Sequence, residues 1–157
     1  DRLATRSLQA VRCGSTVVAL LARGTRCAVL WAGDSRIYRW RSGGLQQLTR
    51  DHSLAESEIA DGEPSNAVTR AVGGEPTLAL DLHRDRVHAG DRFLLCSDGL
   101  TRTVPDAQIQ VWMGHADIRT AVKGLIKATL DSGAPDNVTA LIVEAYAPTS
   151  PLSAIDF

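Results

Sequence analysis

Residues 16–49 read TVVALLARGTRCAVLWAGDSRIYRWRSGGLQQLT, and this stretch decides the fold class. Thr16 to Ala22 is a β-branched and apolar run closed by Gly24, and Arg26 to Gly33 returns as a second run. Arg36-Ile37-Tyr38-Arg39-Trp40 alternates charge with bulk, the pattern of a half-buried strand with one wet face. Ser42-Gly43-Gly44 turns it into Leu45 to Thr49. Four strands in succession with short links and no helix between them predict a meander of antiparallel strands, and argue against a doubly wound parallel sheet.

Working outward, Leu78 to Val87 alternates through Leu78, Leu80 and Leu82, and His88-Ala89-Gly90-Asp91 reads as a turn into Arg92 to Ser97, so these two strands are expected to form a hairpin. Pro105 at a first helical position opens a helix through Trp112 and Met113. Ala116 to Leu130 carries Ile118, Val122, Leu125, Ile126 and Leu130 on one stripe, and Ser132-Gly133 stops it. Asn137 to Tyr146 is the final strand. Upstream, Leu3, Ser7, Leu8 and Val11 lie near one side of an opening helix, while the polar stretch Asp51 to Pro64 reads as a short helix or a compact loop. The pattern is one of sheets with helices packed outside.

At 157 residues the chain is most simply one domain with a sizeable core. Its 17 basic and 18 acidic residues set up no global field toward nucleic acid or an anionic membrane surface, so neither is expected as a partner. No apolar run approaches the roughly 20 residues of a spanning helix, and Asp1-Arg2 opens without signal-peptide features, which predicts a soluble, cytoplasmic protein. Cys13, Cys27 and Cys96 are odd in number and set in or beside apolar runs, the pattern of reduced, packed thiols. Ala147-Pro148-Thr149-Ser150-Pro151 reads as the start of a tail or linker over 148–157.

Three aspartates sit at the rims of apolar runs: Asp34 after Cys27-Ala28-Val29-Leu30-Trp31, Asp98 after Arg92-Phe93-Leu94-Leu95-Cys96, and Asp136 before Val138 to Val143. In antiparallel neighbours the end of one strand lies beside the start of the next, so these carboxylates are expected at a single edge of one sheet. Bare carboxylates so gathered repel, each pair at ~4 Å by about 4 kcal/mol at an effective dielectric near 20, and a hard divalent cation removes that penalty. Each Asp alone is an ordinary turn residue; the three together read as a metal site. His83 and His88 read as solvated surface, Trp31, Trp40 and Trp112 as core or its margin, and Arg39-Trp40-Arg41 as a solvated strand edge.

In order and spacing, Gly14-Ser15-Thr16, Gly33-Asp34-Ser35-Arg36, Asp51-His52-Ser53, Asn66 to Gly73, Ser97-Asp98-Gly99-Leu100-Thr101 and Asp136-Asn137-Val138-Thr139 resemble the metal-dependent protein phosphatases of the PP2C (PPM) family, the bacterial serine/threonine members in particular. The resemblance implies an α+β fold, two packed antiparallel β-sheets flanked by helices (an αββα sandwich), with 1–147 as the C-terminal portion of such a domain. It implies Asp98 and Asp136 as ligands of two central Mg²⁺ or Mn²⁺ ions and as catalytic residues, and Asp34 as accessory ligand of a third ion. Ser35 and Arg36 are expected to fix the turn. The implied reaction is attack of a metal-activated water on the phosphomonoester of phosphoserine or phosphothreonine proteins, opposing a protein kinase. In the family, the metal-bridging aspartate of an Asp-Gly-x-Gly-Gly motif and a phosphate-binding arginine lie upstream of the position matched by Gly14, so this chain alone is expected to be inactive and to associate or swap through exposed sheet edges. A catalytically inactive phosphatase-like binding or scaffold module is the alternative. The span between Ser53 and Asn66 is short for the family and implies simplified substrate recognition, and Arg102 is expected to point outward.

Overall fold

A computed structural model describes residues 14–53, 69–73 and 77–147. The expected opening helix, Cys13, the stretch from 54 to Pro64 and the tail over 148–157 lie outside the described residues. In chain order the elements are β1 (Val17–Arg23), β2 (Arg26–Ala32), β3 (Arg36–Arg41), β4 (Gly44–Gln47), β5 (Asp81–Arg86), β6 (Arg92–Cys96), α1 (Asp98–Thr101), α2 (Asp106–Met113), α3 (Ile118–Asp131) and β7 (Ala140–Glu144). They form two antiparallel sheets, one in the order β1-β2-β5 and one in the order β4-β3-β6-β7. The α+β class and the paired antiparallel sheets are therefore as expected.

Two expectations about connectivity are corrected. The expected meander pairs β1 with β2 and β3 with β4, but β2 and β3 lie in different sheets. Trp31 at the end of β2 and Ile37 at the start of β3 are both buried in the core between the sheets. The Gly33-Asp34-Ser35 link therefore folds one sheet over the other instead of adding a strand. The expected hairpin of Leu78–Val87 with Arg92–Ser97 does not form: β5 pairs with β2 (Leu30 opposite Leu82), and β6 pairs with β3 (Tyr38 opposite Leu94). His88 to Asp91 crosses between sheets, and Asp91, 1% exposed, is held there by Arg41 of β3 through two contacts of 2.6 Å.

The core between the sheets is Cys27, Val29, Trp31, Ile37, Leu48 and Phe93, with Val18, Leu20, Val87 and Leu95 around it. A second core joins the other face of the β3-containing sheet, through Tyr38, Leu94, Cys96 and Ile142, to Leu100, Val104, Ile109, Met113, Ala121 and Leu125. Helices thus cover one outer face among the described residues. Cys27 and Cys96 are buried free thiols, as expected, and burial pushes Cys96 up to about 12. Pro105 is the N-cap of α2 instead of its first residue, and α3 begins after Asp117, whose carboxylate accepts the Arg119 and Thr120 N–H groups. No helix of the described residues is long and apolar enough to cross a membrane.

Candidate metal centre

The end of β2, the junction of β6 with α1 and the approach to β7 meet at one end of the sandwich. Gly33 makes the first of these possible. It has φ +109°, and a Cβ there would stand 2.4 Å from Thr16 Cγ2, so only glycine lets the chain turn against β1. Thr16 Oγ1 and Ser35 Oγ, 2.8 Å apart, close the turn. His52 clasps it from the far side: Gly33 N–H donates to His52 Nδ1 (3.2 Å), and His52 N–H donates to Gly33 O (3.0 Å). With Nδ1 accepting, Nε2 carries the proton toward Asp81 Oδ2 at 3.2 Å, and Trp31 stacks on the ring. Asp81 is also paired with Arg70. His52 is a positioning residue for the Asp34 turn, a role that the residue pattern left unassigned.

The second and third carboxylates are joined through Gly99. A Cβ on Gly99 would lie 2.2 Å from Asn137 O, so the backbone just after Asp136 rests directly on the first turn of α1. Ser97 N–H donates to Thr139 O (3.1 Å), and Thr139 N–H donates to Ser97 Oγ (3.0 Å). Asp136 Oδ1 accepts the Asn137 N–H at 2.7 Å, which orients its other oxygen. Asp98 and Asp136 are thereby neighbours, while Asp34 arrives from the other sheet. The expectation of a single edge of one sheet is corrected: the carboxylates gather at one end of both sheets, because the 33–35 link crosses between them.

What they meet is Arg102. Its guanidinium lies 2.6 Å from Asp98 Oδ2, 4.0 Å from Asp34 Oδ2 and 3.9 Å from Asp136 Oδ2. The expected outward course of Arg102 is therefore corrected. Four residues beyond Asp98 in a helical turn, Arg102 lies on the same side as Asp98, and the gathered negative charge draws it in. Among the described residues, no three His, Cys, Asp or Glu side chains form a finished metal cage, and the Arg102 guanidinium stands among the three carboxylates. The donor chemistry still fits a hard cation: three carboxylates whose Oδ2 atoms face one positive group. Burial, and then the charge of Asp98, push the Asp34 carboxyl above its ordinary range, as expected of a crowded acidic site.

Beside this cluster lies a cavity of about 180 Å³ lined by Asp34, Arg36, Asp51, Ser53, Asp98, Thr101 and Arg102. Asp51 lies within the Asp51-His52-Ser53 motif, which gave it no role. It holds Arg36 by Nε and Nη2 at 2.8 to 3.1 Å, and Arg36 also donates to Tyr38 Oη at 2.9 Å, so the Arg36 side chain is tied to Asp51 and to its own strand. The β3–β4 hairpin brings this Asp and Arg together across fifteen residues: Tyr38 stands opposite Gln47, and the Leu48 N–H donates to Ile37 O.

A family model described as protein phosphatase 2C matches residues 1–139. The chain belongs to the protein phosphatase 2C family. It is 35% identical over 158 residues to the serine/threonine protein phosphatase PstP of Mycobacterium tuberculosis, an alignment covering 90% of this chain and 30% of PstP. Among solved structures it is similar to PppA, described as a key regulatory component of T6SS in Pseudomonas aeruginosa, with TM-score 0.79 and 46% identity over 85% of this chain and 58% of that one. It is also similar to the catalytic domain of PstP in complex with two manganese ions, with TM-score 0.76 and 34% identity over 85% of this chain and 60% of that one. The chain thus spans less than two thirds of each of these relatives.

Proposed function

We propose that the intact protein carrying this chain is a Mg²⁺- or Mn²⁺-dependent serine/threonine phosphoprotein phosphatase. Asp98 and Asp136 are assigned to the two central ions, and Asp34 to an accessory third. The observation that carries the reading is the meeting of three carboxylate oxygens on one positive group beside a polar cavity, in a chain of this family. All-oxygen donors suit hard ions of about six-fold coordination. The chemistry such ions supply is neutralisation of phosphoryl oxygens and acidification of an attacking water. The rest of the site is consistent with this. Cys96, the thiol nearest Asp98 in sequence, is buried with its pKa pushed up to about 12, which makes it a poor nucleophile and leaves water as the attacking group. Ser53 and Thr101 line the cavity, and Arg36 is engaged by Asp51.

Three carboxylates are too few to complete two such shells, so waters and further groups are assigned the remaining positions, and this chain alone is proposed to be inactive. The substrate is a phosphoserine or phosphothreonine protein, and an opposing kinase in the cytoplasm is its counterpart. With the full-length protein and added Mn²⁺, hydrolysis of a phosphothreonine peptide is expected, with Asp98→Asn and Asp136→Asn each abolishing turnover; retained rates in both variants would remove the mechanism. One observation favours the rival, an inactive phosphatase-like scaffold: an arginine already stands among the carboxylates as a counter-charge. Metal titration separates the two, because a scaffold has no need to take up Mn²⁺.

A further inference from the structure

We propose that Arg102 is a built-in competitor of the metal: its guanidinium is the resident counter-charge of the Asp34, Asp98 and Asp136 cluster and must swing out for an ion to load. The inference rests on the assignment of those carboxylates to metal given above, and goes beyond it by making the affinity of the site a property of one side chain. Arg36 is closed off by Asp51, so the three carboxylates face one guanidinium and present a net charge of minus two while it stays in place. With Arg102 displaced they present minus three. A divalent cation approaching the occupied cluster meets both a weaker field and a like charge within about 4 Å.

The geometry allows the exchange. Arg102 is the C-cap of the one-turn helix α1, its side chain is 37% exposed, and its backbone N–H is held by Asp98 O, so the guanidinium can leave without disturbing the turn. Asp34, by contrast, is only 12% exposed and cannot turn to water in its place. Arg102 thus supplies the cluster with a partial counter-charge of its own, and the cost of ejecting it is subtracted from the affinity for the first ion. The expected result is a threshold: loading at higher free Mn²⁺ than the same carboxylates would otherwise need.

Isothermal titration of the full-length, metal-stripped protein with MnCl₂ tests this, paired with thermal melts at fixed Mn²⁺. Arg102→Gln is expected to tighten Mn²⁺ binding by at least about tenfold and to enlarge the metal-induced rise in Tm, while Arg102→Lys stays near the parent. Equal affinities for the parent and Arg102→Gln would overturn the competition while leaving the metal assignment standing, provided Asp98→Asn loses binding. Absence of Mn²⁺ binding in the parent and in Arg102→Gln would overturn both.

Discussion

Gly99 decides at the residue scale whether the carboxylates meet. The missing side chain would have placed a Cβ 2.2 Å from the Asn137 carbonyl oxygen and 3.0 Å from its carbon, and both are backbone atoms that no rotamer change can move aside. Gly99→Ala therefore pushes the 136–139 segment away from α1, straining the Ser97–Thr139 pairing and separating Asp136 from Asp98. Overpacking of this kind costs about 2 kcal/mol, which for a chain of this size lowers Tm by roughly 4–8 °C. Gly44→Ala is the matched control, since its Cβ would meet nothing nearer than Arg41 O at 3.5 Å. Melting curves that leave Gly99→Ala level with Gly44→Ala would show that the contact is not tight in solution.

At the scale of elements, the crossover between β5 and β6 is held by a charge. Asp91 is 1% exposed and accepts from Arg41 Nε and Nη2 at 2.6 Å and from the His88 N–H at 2.7 Å, while Arg41 also donates to Arg86 O. Asp91→Ala strands the His88 N–H and deprives Arg41 of its partner. Breaking such a pair by removing one member is expected to cost about 3 kcal/mol, read as a lower urea midpoint at unchanged slope. The same crossover shows where the sequence stops being legible. Alternation in Leu82-His83-Arg84-Asp85 and the Gly90-Asp91 turn locate a strand and its end, because both are local properties of the backbone. The choice of sheet is not local: it is set by Trp31 and Ile37 burying together with Phe93, more than fifty residues further along the chain. The same holds at the site. Asp34, Asp98 and Asp136 stood out because each interrupts an apolar run, whereas Arg102 and Asp51 are polar residues in polar company. Asp51 reaches Arg36 through the β3–β4 hairpin, and Arg102 reaches Asp34 only once the 33–35 link has brought the two sheets to a common end.

On the scale of the whole molecule, ion pairs tie the strands to one another, and the carboxyls of Asp85, Asp91 and Glu144 share a direction of shift. For Asp91, burial pushes the pKa up, but the hydrogen bonds from Arg41 and the His88 N–H outweigh it, and the net shift is downward. Asp85, which bridges from β5 to Arg39 of the other sheet, behaves alike: burial raises it, and the Arg86 N–H and the charge of Arg39 bring it below its ordinary value. Glu144 is lowered by hydrogen bonds from Tyr146 and then Arg92, which joins β6 to β7. A carboxyl whose folded pKa lies below its unfolded value binds fewer protons in the native state, so its stabilisation is fully present above the unfolded value and is lost as pH falls through the folded one. The unfolded references are 3.8 for Asp and 4.5 for Glu, so these groups contribute no slope from pH 8 to 6 and a positive slope of stability with pH below about 4.5. Urea unfolding of the metal-stripped protein between pH 3 and 8 is expected to show a plateau and then an acid fall, and Arg39→Ala should make that fall shallower by returning Asp85 toward its ordinary pKa. An acid limb as steep in Arg39→Ala as in the parent would mean that the Arg39–Asp85 bridge between the sheets is not maintained in solution.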